Sequence, residues 1–154
     1  MSGQLDRINE EILYKNFDEF MIKMKTFSSD LLRLESEIVS ITADKELIRD
    51  QLDIKIKIEE GKKKLFEKNV GTLMDTLSST DQRISVNRQL LTTTGSIEKL
   101  KSEKISIMDK KSSYLTGELV KIAQELSSFN DQLLQLNEEL IKNELERSNL
   151  FVKS

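Results

Sequence analysis

The chain has 154 residues, of which 33% are charged, and its formal net charge is −3. It contains no cysteine, histidine, proline or tryptophan, which excludes disulfide bonds, thiol nucleophiles, metal sites ligated by cysteine or imidazole, and histidine-dependent catalysis. A proline-free chain of this length is typical of long helices, because a proline inside a helix costs about 3 kcal/mol.

Residues 1–60 carry the first of two strong heptad patterns. Apolar residues recur in alternating steps of four and three, which predicts a helix with one a/d seam for coiled-coil packing. We refer to this pattern as the N-terminal seam. Its positions are Leu13, Phe17, Phe20, Met24, Phe27, Leu31, Leu34, Ile38, Ile41, Lys45, Ile48 and Leu52. We interpret Lys45 as a register determinant, because a polar core residue penalises misaligned helices. The alternative is a lysine whose amine reaches solvent along the seam.

Large side chains widen the apolar face at the start of this segment. They are Tyr14, Phe17, Phe20, Met21 and Phe27, and we refer to them as the aromatic face. An apolar stripe wider than a dimer seam fits a helix that packs against two or more others. It also fits an exposed docking site, since aromatic and methionine side chains are common interface anchors. The two interpretations merge if the bundle partner is another chain.

Residues 61–104 form a basic, interrupted middle with weaker helix signals. Three glycines each cost a helix interior about 1 kcal/mol: Gly61, Gly71 and Gly95. A cap-like stretch at 78–81 and a threonine-rich stretch at 92–96 are the two places where we expect the chain to turn. A half-polar heptad pattern, the middle seam, includes Val70, Leu77, Ile84 and Leu91.

Residues 53–59 alternate between apolar and charged side chains, as a half-buried strand does. A lone strand has no pairing partner in this sequence. We therefore interpret the segment as helical, with a heptad phase shift that puts Ile54 and Ile58 on one face.

Six lysines make the densest basic run of the chain: Lys55, Lys57, Lys62, Lys63, Lys64 and Lys68. Such a cluster could bind nucleic acid or an acidic membrane surface. Three nearby glutamates dilute it, and Phe66 is the one aromatic side chain in the run that could stack on a base. We rank this function behind protein partners.

Residues 105–154 carry the second strong pattern, the C-terminal seam. Its positions are Ile105, Met108, Ser112, Leu115, Leu119, Ile122, Leu126, Phe129, Leu133, Leu136, Leu140, Asn143, Arg147 and Leu150. The apolar run from Leu115 to Leu140 is unbroken. Leucine at successive a positions departs from the pattern of parallel dimers and favours a larger bundle or antiparallel pairing. Asn143 is a second candidate register determinant, or marks the fraying end of the seam.

Glutamates flank this second seam at its g positions: Glu118, Glu125, Glu139 and Glu146. We refer to them as the glutamate edge. Flanking charges set partner choice in coiled coils. No e position of the same segment carries a basic residue that could pair with these glutamates. We therefore expect a different, more basic helix as partner. The alternative is a solvated face without a binding role.

The predicted fold is all-α, with long helices that form a coiled coil. The chain folds as an α-helical hairpin in which the two strong seams pack on each other, or it joins a multi-chain helical bundle. Parallel self-association stays open.

In size and composition the chain resembles small coiled-coil subunits of kinetochore, spindle-pole, vesicle-tethering and autophagy complexes. We expect a non-enzymatic structural or interaction subunit without cofactor or metal, whose partners are other coiled-coil proteins in heteromeric complexes. The alternatives are a self-sufficient homodimeric spacer, and a binder of nucleic acid or acidic membranes through the lysine run. The sequence has no apolar run of about 18 residues and no signal-peptide pattern. We therefore expect an intracellular protein of the cytoplasm or nucleus.

Overall fold

The computed structural model describes residues 2–152, which form two helices joined by a short turn. Helix α1 spans Ser2–Glu67 and helix α2 spans Leu73–Val152. The helices pack antiparallel: the Lys104 amine donates to Glu35 at 2.7 Å, and the Lys55 amine donates to Gln82 at 2.8 Å. The described residues contain no strand. The prediction of an all-α hairpin is confirmed.

The chain reverses between the helices, and α1 ends in a Schellman motif. The backbone N–H of Val70 donates to the Leu65 carbonyl at 3.0 Å, and that of Asn69 donates to the Phe66 carbonyl at 2.9 Å. Asn69 has a φ of 59°, in the left-handed region. Asparagine tolerates this conformation better than most residues, and the two bonds satisfy carbonyls that the helix end would leave unpaired.

Helix α2 begins at an N-cap formed by Thr72. The Asp75 N–H donates to the Thr72 hydroxyl oxygen at 3.1 Å, and that hydroxyl donates to the Asp75 carboxylate at 2.7 Å. Gly71 lies close to the end of α1, since a Cβ there would be 3.2 Å from the backbone nitrogen of Phe66. The turn is therefore fixed by local chemistry on both sides.

Both predicted turn positions are wrong, because 78–81 and 92–96 lie inside α2. The hydroxyls in these stretches donate to backbone carbonyls three or four residues earlier. Thr92 donates to Arg88 at 3.0 Å, Thr94 donates to Leu90 at 2.8 Å, and Ser79 donates to Thr76 at 2.7 Å. Serine and threonine side chains, which often cap helices, are thus accommodated in the interior of helix α2.

In α1, the face toward the hairpin interior is the N-terminal seam from Phe20 to Leu52. Every seam position in that range is buried or half-buried, and Leu34 has no exposed surface. Leu13 and Phe17, the first two seam positions, are 72% and 59% exposed.

In α2, the face toward the interior is a stripe that the sequence did not single out. Its positions alternate in steps of three and four, and we refer to them as the hairpin stripe: Thr76, Ser79, Arg83, Val86, Leu90, Thr93, Ile97, Leu100, Lys104 and Ile107. All of these side chains are buried or half-buried. The middle-seam residues within α2 lie one residue further along the helix and are exposed: Leu77, Ile84 and Leu91. Val70, in the turn before α2, is exposed as well. The middle seam therefore does not form the hairpin interface.

Past Leu52, charged side chains continue the heptad register of the N-terminal seam. Near the turn the α1 seam continues in unshifted register through Lys55, Glu59 and Lys62, which are half-buried or buried. Ile54 and Ile58 are 56% and 41% exposed. Residues 53–59 are helical, as predicted, but the predicted phase shift is wrong.

The chain divides into two compact units: the first ends at Asp109 and the second begins at Lys110. The first unit holds the hairpin. In it, Ile105 and Met108 of the C-terminal seam are 59% and 50% exposed. The expectation that the two strong seams pack on each other is therefore wrong for this part of the chain. Because the chain turns near residue 70 rather than residue 80, the N-terminal seam meets the hairpin stripe instead.

Candidate helix-docking surface

The second unit presents the C-terminal seam as an exposed surface. All described side chains from 119 onward are exposed. The seven seam positions from Leu119 to Leu140 are each more than half exposed: Leu119, Ile122, Leu126, Phe129, Leu133, Leu136 and Leu140. Contiguous apolar surfaces on proteins commonly mark interaction sites. Asn143, the predicted register determinant, is exposed beyond this run.

Beyond the hairpin, the apolar positions of α2 fall one residue later in the heptad than the positions of the hairpin stripe. In the hairpin the positions toward α1 include Val86, Leu90, Ile97 and Leu100. The same heptad positions further along carry Lys121, Glu125, Ser128, Gln132, Gln135 and Glu139, all of which are polar. Apolar residues instead occupy the neighbouring positions that make up the C-terminal seam. The apolar residues of the second unit thus fall in a different heptad register from those of the hairpin stripe.

The two borders of the C-terminal seam differ in character. On one border lies the glutamate edge, and the Lys121 amine lies 3.3 Å from the Glu118 carboxylate. On the other border lie the e positions Ala123, Asn130, Asn137 and Glu144, and beyond them Val120, Leu134 and Ile141 are 49%, 62% and 57% exposed. The surface therefore offers a partner an apolar centre, one strongly acidic border and one mostly uncharged border.

The aromatic face of α1 is divided between exposed and half-buried side chains. Tyr14, Phe17 and Met21 are at least half exposed, whereas Phe20 and Phe27 are half-buried. The Lys23 amine lies 5.7 Å from the centre of the Phe27 ring, within cation–π range. The exposed part of the aromatic face lies next to Leu13, which is also exposed.

The remaining predicted partner-binding residues lie inside the hairpin. Met24, Leu31 and Ile38 are half-buried, and Leu34 is fully buried. Lys45 is half-buried at its seam position. These side chains are thus wholly or partly withdrawn from solvent within the chain itself.

A buried carboxylate near the turn is the polar feature that sequence reasoning missed. Glu59 is 3% exposed. It accepts a hydrogen bond from the Thr80 hydroxyl at 3.0 Å and one from Nε of Arg83, and it pairs with the Lys63 amine at 2.7 Å. The hydrogen bond from Lys63, aided by Arg83 and Thr80 against the opposing effect of burial, lowers the pKa of Glu59 to about 2. Extending the N-terminal seam past Leu52 in strict heptad steps would have identified Glu59.

The lysine run contributes in part to the hairpin. The Lys55 amine bonds Gln82, Lys63 pairs with Glu59, and Lys62 is half-buried. Contacts within the chain thus engage part of the basic charge that could otherwise attract nucleic acid or an acidic membrane.

Comparisons with protein-family models, with curated proteins and with solved structures find no match for this chain. Within residues 2–152, neither helix contains a stretch that is both long enough and apolar enough to cross a membrane.

Proposed function

We propose that this chain is a non-enzymatic interaction subunit of an intracellular multiprotein assembly, and that it binds partner helices through the C-terminal seam. One observation carries the proposal: the N-terminal seam packs within the hairpin, whereas the C-terminal seam is exposed from Leu119 to Leu140. The first seam stabilises the chain itself. The second is left for another protein.

The energetics support a partner for the exposed seam. Full burial of one leucine or isoleucine side chain contributes roughly 1.5–3 kcal/mol. The exposed run from Leu119 to Leu140 covers about three heptads, a length over which a sustained a/d pattern indicates coiled-coil pairing. A partner helix that covers this run would bury enough apolar surface to offset the cost of association.

The exposed part of the aromatic face supplies a second contact region in this proposal. Tyr14, Phe17 and Met21 are of the residue types that interface centres favour. These side chains would anchor a partner helix on α1.

The type of assembly belongs to the same proposal. Size and composition favour a subunit of the kinetochore, spindle-pole, vesicle-tethering or autophagy type, located in the cytoplasm or nucleus. A self-sufficient homodimeric spacer is the competing function.

Size-exclusion chromatography with light scattering tests the proposal in two samples. Purified chain should elute as a single species near its mass of 17.8 kDa. The same tagged chain in an extract of its native cells should elute in a much larger complex. The paired change Leu126→Lys and Leu133→Lys should release it from that complex, because two charges would then lie in the buried interface.

Leu47→Lys is the matched control, since Leu47 is a 68% exposed leucine of α1 outside the seam. This variant should stay in the complex. Elution of the wild-type chain from the extract at its own mass would contradict the proposal. A stable dimer of the purified chain would favour the homodimeric spacer.

A further inference from the structure

We infer that the occupant of the C-terminal seam is a helix of a different protein with lysine or arginine along the border that meets the glutamate edge. The inference rests on the proposed function and adds the chemistry of the partner. It is carried by the arrangement of charge around the exposed seam.

The glutamate edge disfavours a second copy of this chain in antiparallel orientation. Antiparallel coiled coils bring g positions next to g positions. With the two copies centred on Gln132, Glu118 would face Glu146 of the second copy, and Glu125 would face Glu139. Each such pair occurs twice by symmetry, so four like-charge pairs would border the interface, and like charges there destabilise pairing.

Parallel self-pairing gains nothing from the same edge. In that arrangement each g residue meets the e residue five positions further along the second copy. Glu118 would meet Ala123, Glu125 would meet Asn130, and Glu139 would meet Glu144. Neither orientation gives these glutamates a basic partner.

The basic side chains of the segment do not neutralise the edge across its length. Lys121 and Lys142 both occupy c positions, three residues after Glu118 and Glu139, and the Lys121 amine lies 3.3 Å from the Glu118 carboxylate. Two lysines beside four glutamates leave the edge with a net negative charge. A helix with basic flanking residues would convert the whole edge into attractive pairs. Charge complementarity therefore selects a basic partner over a second copy.

Two synthetic probe peptides of about four heptads test the inference on the full-length chain. Both carry leucine at a and d; one has lysine and the other has glutamate at every e and g position. Each peptide opposes its own self-pairing through like charges. Binding is measured by fluorescence anisotropy of the labelled peptide at low and high salt, with light scattering to give the mass of the chain alone.

The lysine peptide should bind on the order of tenfold more tightly than the glutamate peptide at low salt, because four attractive pairs replace four repulsive ones. The preference should shrink at high salt, since exposed charges are screened. Replacing Glu118, Glu125, Glu139 and Glu146 by lysine should reverse the preference. Replacing them by glutamine, which cannot repel either peptide, should abolish it.

Equal binding of both peptides, or a preference that survives the glutamine changes, would overturn the inference and leave the docking function intact. A chain that forms dimers sensitive to Leu126→Lys would also overturn it, with a second copy as the occupant. Failure of both peptides to bind would overturn the inference together with the proposed docking role of the seam.

Discussion

Glu59 lies where a coiled coil ordinarily places an apolar side chain. Its carboxylate has partners on its own helix and on α2: Lys63 on the first, Thr80 and Arg83 on the second. A buried charge that loses its partners is costly, so an alignment that moved Arg83 and Thr80 away from Glu59 would be penalised. The residue that fixes the alignment of the hairpin near its turn is therefore Glu59, in a role like the one predicted for Lys45.

The depressed pKa makes a contribution to stability that depends on pH. Glu59 titrates near pH 2 in the folded chain, against an ordinary value of 4.5. Above pH 4.5 the carboxylate is ionised in both states and its contribution is complete. As the pH falls from 4.5 toward 2, the unfolded chain takes up the proton first and the contribution is lost. Urea midpoints of the wild-type chain and of Glu59→Gln should therefore differ most above pH 5 and converge toward pH 2.

Glu60→Gln is the control, because it removes the same charge from an exposed neighbour. A difference between wild type and Glu59→Gln that stays constant from pH 7 to pH 2.5 would contradict the assigned role. Far-UV circular dichroism at each pH shows whether both chains are still helical before urea is added.

The turn shows which local signals a sequence can provide. Asn69 and Gly71, followed by Thr72 with Asp75 three residues later, form a recognisable sequence of helix stop and helix start. The stretches at 78–81 and 92–96 have residues of similar type, but those hydroxyls bond inside the helix. Composition alone does not separate the two cases. What separates them is an asparagine in the left-handed conformation, Asn69, with Gly71 two residues later.

At the scale of elements, α2 shows why one apolar pattern can hide another. Val70, Leu77, Ile84 and Leu91 fall in the same heptad register as the C-terminal seam. The hairpin stripe runs beside them and includes Thr76, Ser79, Arg83, Thr93 and Lys104, so its apolar content is diluted by polar side chains. The long helices and the N-terminal seam could be predicted from periodicity. The face of α2 that packs on α1 could not, because five of its ten positions are polar or charged, such as Arg83, which pairs with Glu59 of α1.

Two isoleucines of α2 distinguish the stripes experimentally. Ile97 belongs to the hairpin stripe and is 4% exposed, whereas Ile105 belongs to the C-terminal seam and is 59% exposed. Ile97→Ala should lower the free energy of unfolding by roughly 2–5 kcal/mol, because it removes buried methyl groups and leaves a cavity. Ile105→Ala should change it by about 0.5 kcal/mol or less. Urea unfolding at one fixed protein concentration measures both.

Equal losses for the two variants would contradict the assignment of the hairpin face. A larger loss for Ile105→Ala would mean that the C-terminal seam, and not the hairpin stripe, is buried in the chain alone.

At the scale of the whole molecule, the two units differ in what stabilises their helices. In the first unit, α1 and α2 share an apolar interface, with ion pairs such as Lys104–Glu35 at its border. The described side chains of the second unit beyond Glu118 are exposed, so its helix depends there on intrinsic propensity and local pairs such as Lys121–Glu118. Most helical stability in proteins comes from packing of an apolar face, and isolated helices are marginal in water.

Amide hydrogen exchange should therefore divide α2 into two regions in the purified chain. Amides of residues 79–107 should exchange slowly, because they open only when the hairpin interface opens. Amides of residues 122–149 should exchange faster by orders of magnitude, because the side chains there are exposed and the helix can open locally. Adding the lysine peptide should slow exchange from 122 to 140 and leave 79–107 unchanged, since the partner covers only the C-terminal seam. Uniform protection along α2 without peptide would mean that the second unit is already packed, and that the exposed seam is not the docking surface.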